Sequence, residues 1–128
     1  MTGGYIPGVC NIGEEEINKR RKMLFASLIS SIILTWFCFK QPDSTWIKDV
    51  LFTSFTILVI TIVEVRKRFC ITFGAFGYFN FNKLGKAERV INKKLLVKDR
   101  LNALKILLFS ILLSLTFIWL VSLMSNPC

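Results

Sequence analysis

The chain has no histidine. That excludes imidazole-ligated haem, histidine-containing metal sites and every histidine-based acid–base scheme. Acidic side chains are scarce, 8 against 17 Lys and Arg, and the net charge is +9. Charge is missing altogether from two long stretches, residues 23–39 (MLFASLISSIILTWFCF) and 106–124 (ILLFSILLSLTFIWLVSLM), and from a shorter one, residues 50–63 (VLFTSFTILVITIV). None of the four cysteines stands in a Cys-x-x-Cys motif. Nothing in the chain identifies a reaction, and no cofactor is implied.

What is present is hydrophobic and bunched. Apolar residues make up 53% of 128 residues, and mean hydropathy is +0.55. One domain, residues 1–128, fits this length. A soluble domain would expose such runs to water. Beside them, the excess of basic charge is better matched by anionic lipid headgroups than by nucleic acid, which is not expected as a partner.

The two long stretches approach the roughly 20 residues needed to cross a bilayer core. The 14-residue stretch at 50–63 is ambiguous by length, and charge decides it. With three spans, 15 of the 17 basic residues share one side with the N-terminus, leaving Lys40 and Lys48 on the other. If residues 50–63 did not cross, the split would be four against thirteen. The positive-inside rule favours three spans in the inner (cytoplasmic) membrane, N-terminus inside and C-terminus outside. Lys48 and Arg66 can snorkel, with Trp46 at the interface, to lengthen the middle helix.

The first stretch is too long for a typical signal-peptide core and lacks a clear small-x-small cleavage site. It reads as a retained helix beginning near Gly13. Glu14, Glu15 and Glu16 would sit at its positive end, with Glu15–Lys19 and Glu16–Arg20 pairs at the favourable spacing. Ser27, Ser30, Ser31 and Thr35 form one small polar stripe, and Ser110 and Ser114 another; such stripes mark helix–helix packing.

The fold class is therefore an all-α membrane protein with transmembrane helices at about 23–40, 47–65 and 104–124. Two elements are expected on the inner face. The aromatic segment 69–81 (FCITFGAFGYFNF) is too short to cross and too apolar for a solvated loop, which implies an interfacial or shallow re-entrant position. Its Gly74 and Gly77 allow bending or close packing. Residues 86–102 read as an amphipathic basic helix that can run into the third span. Ala87, Val90, Ile91, Val97, Leu101 and Leu104 form its apolar face. Lys86, Arg89, Lys93, Lys94, Lys98 and Arg100 face the headgroups.

Topology sorts the cysteines. Cys10 and Cys70 fall inside, Cys38 and Cys128 outside. A Cys38–Cys128 disulfide is sterically conceivable, but packing of Cys38 is the preferred reading. Cys10 precedes a helix N-terminus, and Cys70 follows Arg66, Lys67 and Arg68; both settings lower a thiol pKa. The two form a candidate thiol pair, or the beginnings of a soft-metal site, although two thiols alone do not complete a tetrahedral zinc site. Packing of both in glycine-flanked turns is the preferred reading. The stretches at 12–20 and 84–94 echo each other, a match too short to establish a duplication.

The string Tyr5-Ile6-Pro7-Gly8-Val9-Cys10-Asn11-Ile12-Gly13, with Glu16-Ile17 and Arg20-Arg21, resembles the opening of a family of small, uncharacterised prokaryotic integral membrane proteins. Phe69-Cys70…Phe73-Gly74…Gly77…Asn80-Phe81…Gly85 and Asp99-Arg100 resemble the same family. The resemblance singles out Cys10, Asn11, Gly13, Cys70 and Gly74 without bringing an activity. The expected function is that of a structural or interaction component with a basic cytoplasmic face. Its partners would be membrane lipids, and a second copy or a larger membrane complex. The alternatives are thiol, sulfur or soft-metal handling through Cys10 and Cys70, and a lipid- or peptide-binding adaptor.

Overall fold

The computed structural model describes residues 5–81, 83 and 85–125. Three long helices carry the fold: α1 (Glu14–Lys40), α2 (Thr45–Lys67) and α4 (Lys93–Ser125). A six-residue helix α3 (Ile71–Phe76) and a two-stranded antiparallel pair, β1 (Tyr78–Phe79) with β2 (Glu88–Arg89), lie between α2 and α4. All three long helices are long and apolar enough to cross a membrane. At 1.5 Å per residue even the shortest, α2, spans about 35 Å, more than a typical hydrocarbon core.

α2 gains its length at both ends of the uncharged stretch. It begins five residues earlier, at Thr45, and includes Glu64, Val65, Arg66 and Lys67. The extra turns carry polar side chains near its ends. α1 starts directly after Gly13, with three glutamates in its first turn.

At one end of the bundle, Cys38 of α1, Ile47 and Leu51 of α2 and Val121 of α4 pack together. The three tryptophans, Trp36, Trp46 and Trp119, lie on these same helix ends and are exposed. That placement matches the aromatic belt of a membrane boundary. Along the middle, hydroxyls join the helices. Ser31 Oγ lies 3.1 Å from Ser54 Oγ, and Thr56 donates to Ser114 Oγ at 2.9 Å. Ser27, Ser31, Ser110 and Ser114 are all buried, so both stripes serve helix packing. Ile29, Ile32, Leu112, Leu115 and Leu120 face outward. Such a surface is insoluble in water and suited to lipid.

The opposite, basic end departs from expectation twice. Residues 86–92 are not helical. β2 pairs with β1, Val90 N–H donates to the Gly77 carbonyl at 2.7 Å, and Val90 is buried. These bonds commit the segment to extended backbone, and Lys86 and Arg89 therefore precede the helix. α4 starts at Lys93, where the Asn92 side chain accepts the Lys94 N–H at 3.0 Å. It then continues unbroken into the third span, as anticipated. The expected apolar face is also turned around. Ile91, Val97, Leu101 and Leu104 are exposed, while Asp99, Ala103 and Ile106 face inward.

The second departure is the aromatic segment, which is folded into the protein rather than laid along a boundary. Phe69 is fully buried with Ala103 and Ile106, Phe73 packs on Ile12 and Ile17, and Phe79 stacks on Tyr5. Phe76 and Tyr78 remain exposed. Glycine makes the folding-back possible. A Cβ on Gly74 would lie 2.5 Å from Phe69 Cζ, and Gly77 has φ +78°.

Candidate functional site

The residues singled out by sequence meet at the basic end, in a buried polar knot. Its first component is a strap, residues 5–13. Ile6-Pro7-Gly8-Val9 forms a turn closed by Val9 N–H on the Ile6 carbonyl, with Gly8 at φ +71°. Proline then glycine in the two central positions is the chemistry such a turn requires. The strap is fastened to α4 by Asp99, which is fully buried. Its Oδ1 accepts the Gly8 N–H at 2.6 Å, and its Oδ2 accepts the Tyr5 hydroxyl. Burial, with the Asp99 carboxylate beside it, pushes the Tyr5 hydroxyl well above its usual range.

Asn11 fastens the strap to the segment after α2. Its Oδ1 accepts the Cys70 N–H at 2.7 Å and its Nδ2 donates to the Cys70 carbonyl at 3.1 Å. Its backbone N–H donates to the Arg68 carbonyl, and its own carbonyl accepts the Asn80 N–H. Arg68, the C-cap of α2, has φ 52°, a left-handed conformation that turns its carbonyl to receive both Asn11 and Ile12. An amide is the side chain that can offer a donor and an acceptor side by side to one peptide unit. Gly13 completes the contact, because a Cβ there would lie 3.0 Å from the Phe81 backbone.

The third component is ionic. Glu64 of α2 is 3% exposed and Glu16 of α1 is 4% exposed, so with Asp99 the knot holds three buried carboxyl groups. Arg20 Nε lies 3.4 Å from Glu64 Oε2, an ion pair without the alignment of a hydrogen bond. Glu64 Oε1 accepts the Ile71 N–H at 3.0 Å, which ties the start of α3 to the end of α2. Glu16 Oε1 accepts Asn80 Nδ2 at 3.2 Å, while Oε2 is buried without a hydrogen-bond partner. The expected Glu16–Arg20 pair within α1 is thus replaced by contacts between elements. Glu14 instead pairs with Arg68, at 2.8 Å and on the surface.

The two cysteines have different partners. Cys70 is fully buried and receives Arg20 Nη2 at 2.9 Å, with Glu64 beside it. Burial, then the Glu64 charge, pushes its thiol up; the Arg20 guanidinium opposes this and is outweighed. Cys10 Sγ lies 4.0 Å from the Ile12 carbonyl, and burial pushes its thiol up as well. Both shifts run against the lowered values expected from the helix N-terminus after Cys10 and from the basic residues before Cys70. Desolvation disfavours the thiolate more than nearby cations support it. Among the described residues, no three Cys, Asp or Glu side chains come together as a metal-binding group. Cys38 is buried and free; Cys128 lies outside the described residues.

The basic residues named for the headgroups are on the surface. Lys86, Arg89, Lys93, Lys94, Lys98 and Arg100 are all exposed, and Arg100 also donates to the Ala75 carbonyl at 3.1 Å. Sequence reasoning missed Glu64 and Asp99 as internal fasteners. Asp99 stands between Lys98 and Arg100 and reads locally as part of a solvated charged face. Its signal was periodic: Asp99, Ala103, Ile106, Ser110 and Ser114 recur at three and four residues, the small-and-polar face of α4.

Comparison with protein-family models, curated proteins and solved structures finds no match.

Proposed function

We propose that this chain is a non-catalytic, three-span component of the inner membrane. Its N-terminus and residues 66–105 would lie on the cytoplasmic side and its C-terminus outside. It presents a pre-formed basic surface to acidic partners, whether lipid headgroups or other subunits of a membrane complex. One observation carries this reading. The unusual residues Asn11, Gly13, Gly74, Glu64 and Asp99 spend their bonding capacity and space on one another's elements, whereas the Lys and Arg side chains around them, apart from Arg20 and Arg68, are exposed. A site built for chemistry keeps a reactive group accessible. Here both central thiols are buried and held in the neutral form.

The resemblance to small prokaryotic membrane proteins fits this reading, since three of the five residues it singles out, Asn11, Gly13 and Gly74, are among the fasteners. The test has two arms. A reporter fused after Cys128 should be active outside the cell; activity in the cytoplasm sinks the orientation. A Cys10→Ala/Cys70→Ala double variant should purify in the same native-lipid assembly as the parent chain. If the variant folds but loses its companions, thiol chemistry replaces the structural role.

A further inference from the structure

A second feature lies outside the knot, on the lipid-facing side between α2 and α4. An apolar cavity of about 600 Å³ opens there, walled by Phe55, Leu58, Ile62, Phe109 and Leu113. Its depth from Phe55 to Lys67 corresponds to about 18 Å of helix. Arg66 and Lys67 stand at its mouth. A neighbouring hollow of about 400 Å³ shares Val63, Lys67 and Phe109 with it and adds Asn102 and Lys105. The two form one groove, apolar along its length and cationic at one end.

The charge at that end is uncompensated. Among the described residues, no carboxylate forms an ion pair with Arg66, Lys67 or Lys105, and all three are exposed. The carboxylates on the flanking helices are turned away. Glu64 is buried against Arg20, and Asp99 is buried against Tyr5 and Gly8. The cations sit at the level where Val63 packs with Ala103 and Ile106, at the edge of the uncharged part of α4. Elongated, apolar and open to lipid, with three cations and an amide at one end, the groove matches a phospholipid in shape and charge. A soluble anion would not need the apolar trough, and a second protein helix would not need the cluster of cations.

We propose that the α2–α4 groove is a binding site for one anionic phospholipid. An acyl chain lies along Phe55, Leu58 and Phe109, and Lys67, Lys105 and Arg66 hold the phosphate. Asn102 supplies a hydrogen-bonding amide. The site rests on membrane insertion of the three helices but not on their orientation, so it stands or falls separately from the reporter experiment above. Electrostatic attraction in the headgroup region corresponds to about fivefold in affinity per basic residue.

The test uses the full chain reconstituted in nanodiscs of equimolar phosphatidylglycerol and phosphatidylcholine, then released for native mass spectrometry. One phosphatidylglycerol should remain bound, in at least about tenfold excess over phosphatidylcholine. Lys67→Gln/Lys105→Gln should reduce its retention by about twentyfold or more. Lys19→Gln/Lys22→Gln removes the same charge from α1, away from the groove, and should reduce it by no more than about twofold. Equal retention of the two lipids by the unaltered chain overturns the proposal without reference to any variant. So does an equal loss in both double variants, which would indicate diffuse surface attraction. A lipid-free dimer as the dominant species would assign the groove to a second copy instead.

Discussion

Asn11 has no local reason to be where it is. It is polar, fully buried and three residues before a helix that it does not cap. Its value lies 59 residues away, at the two polar groups of Cys70. Asn11→Ala should cost about 1–3 kcal/mol, because the buried Cys70 N–H loses its partner while the Cys70 carbonyl keeps the Gly74 N–H. Asn11→Asp should be no milder, since it sets a carboxylate oxygen against the Cys70 carbonyl. Thermal unfolding in detergent would measure both. The thiols give a pH prediction at the same scale. Cys10 and Cys70 hold their protons more tightly when folded than when unfolded. The folded state therefore binds more protons once the unfolded thiols begin to ionise, near pH 8.5. Their contribution is complete below that pH and is lost as pH rises toward the folded values. Stability should decline from about pH 8.5 upward, and the Cys10→Ala/Cys70→Ala variant should decline less steeply. A variant curve parallel to the parent's would refute the assignment.

Between elements, the Arg20–Glu64 pair joins α1 to α2 at the end opposite the Lys40–Ser44 turn. Buried pairs contribute little net stability but are costly to break singly. Arg20→Met, which leaves the Glu64 carboxyl buried without its cation, should therefore cost about 3–5 kcal/mol. Arg20→Met/Glu64→Leu should recover much of that loss, since it removes the buried carboxyl together with its partner. A double variant no better than the single one would place the energy in the Glu64–Ile71 bond instead. The extent of α4 belongs to this scale too. Its basic and membrane portions are one helix of 33 residues, so movement at Asp99 is carried along a rigid rod into the bundle.

For the molecule as a whole, the strap holds α2's end and α4's start to one short segment, through Asn11 and Asp99. A chain beginning at Gly13 should still insert three helices, because its hydrophobic spans are unchanged. Its basic end should loosen. Proteolysis in the 77–92 region and rapid hydrogen exchange at Cys70 and Asn80 are the expected signs. Unaltered protection in the truncated chain would show that the ionic contacts suffice without the strap.

The sequence alone was enough to determine the three helices, their antiparallel order, the packing role of the serines and the gathering of basic residues at one end. Each of these follows from chain-local facts: run length, charge placement and helical periodicity. It did not reveal that residues 86–92 would be extended, that Phe69–Phe81 would be packed inside, or that Asp99 and Glu64 would be buried. Only the tertiary structure decided these. The environment of each such group is made by partners as much as 94 positions away, as for Tyr5 and Asp99. A buried carboxylate and a solvated one look alike in sequence; what separates them is whether donors distant in the chain arrive to replace water.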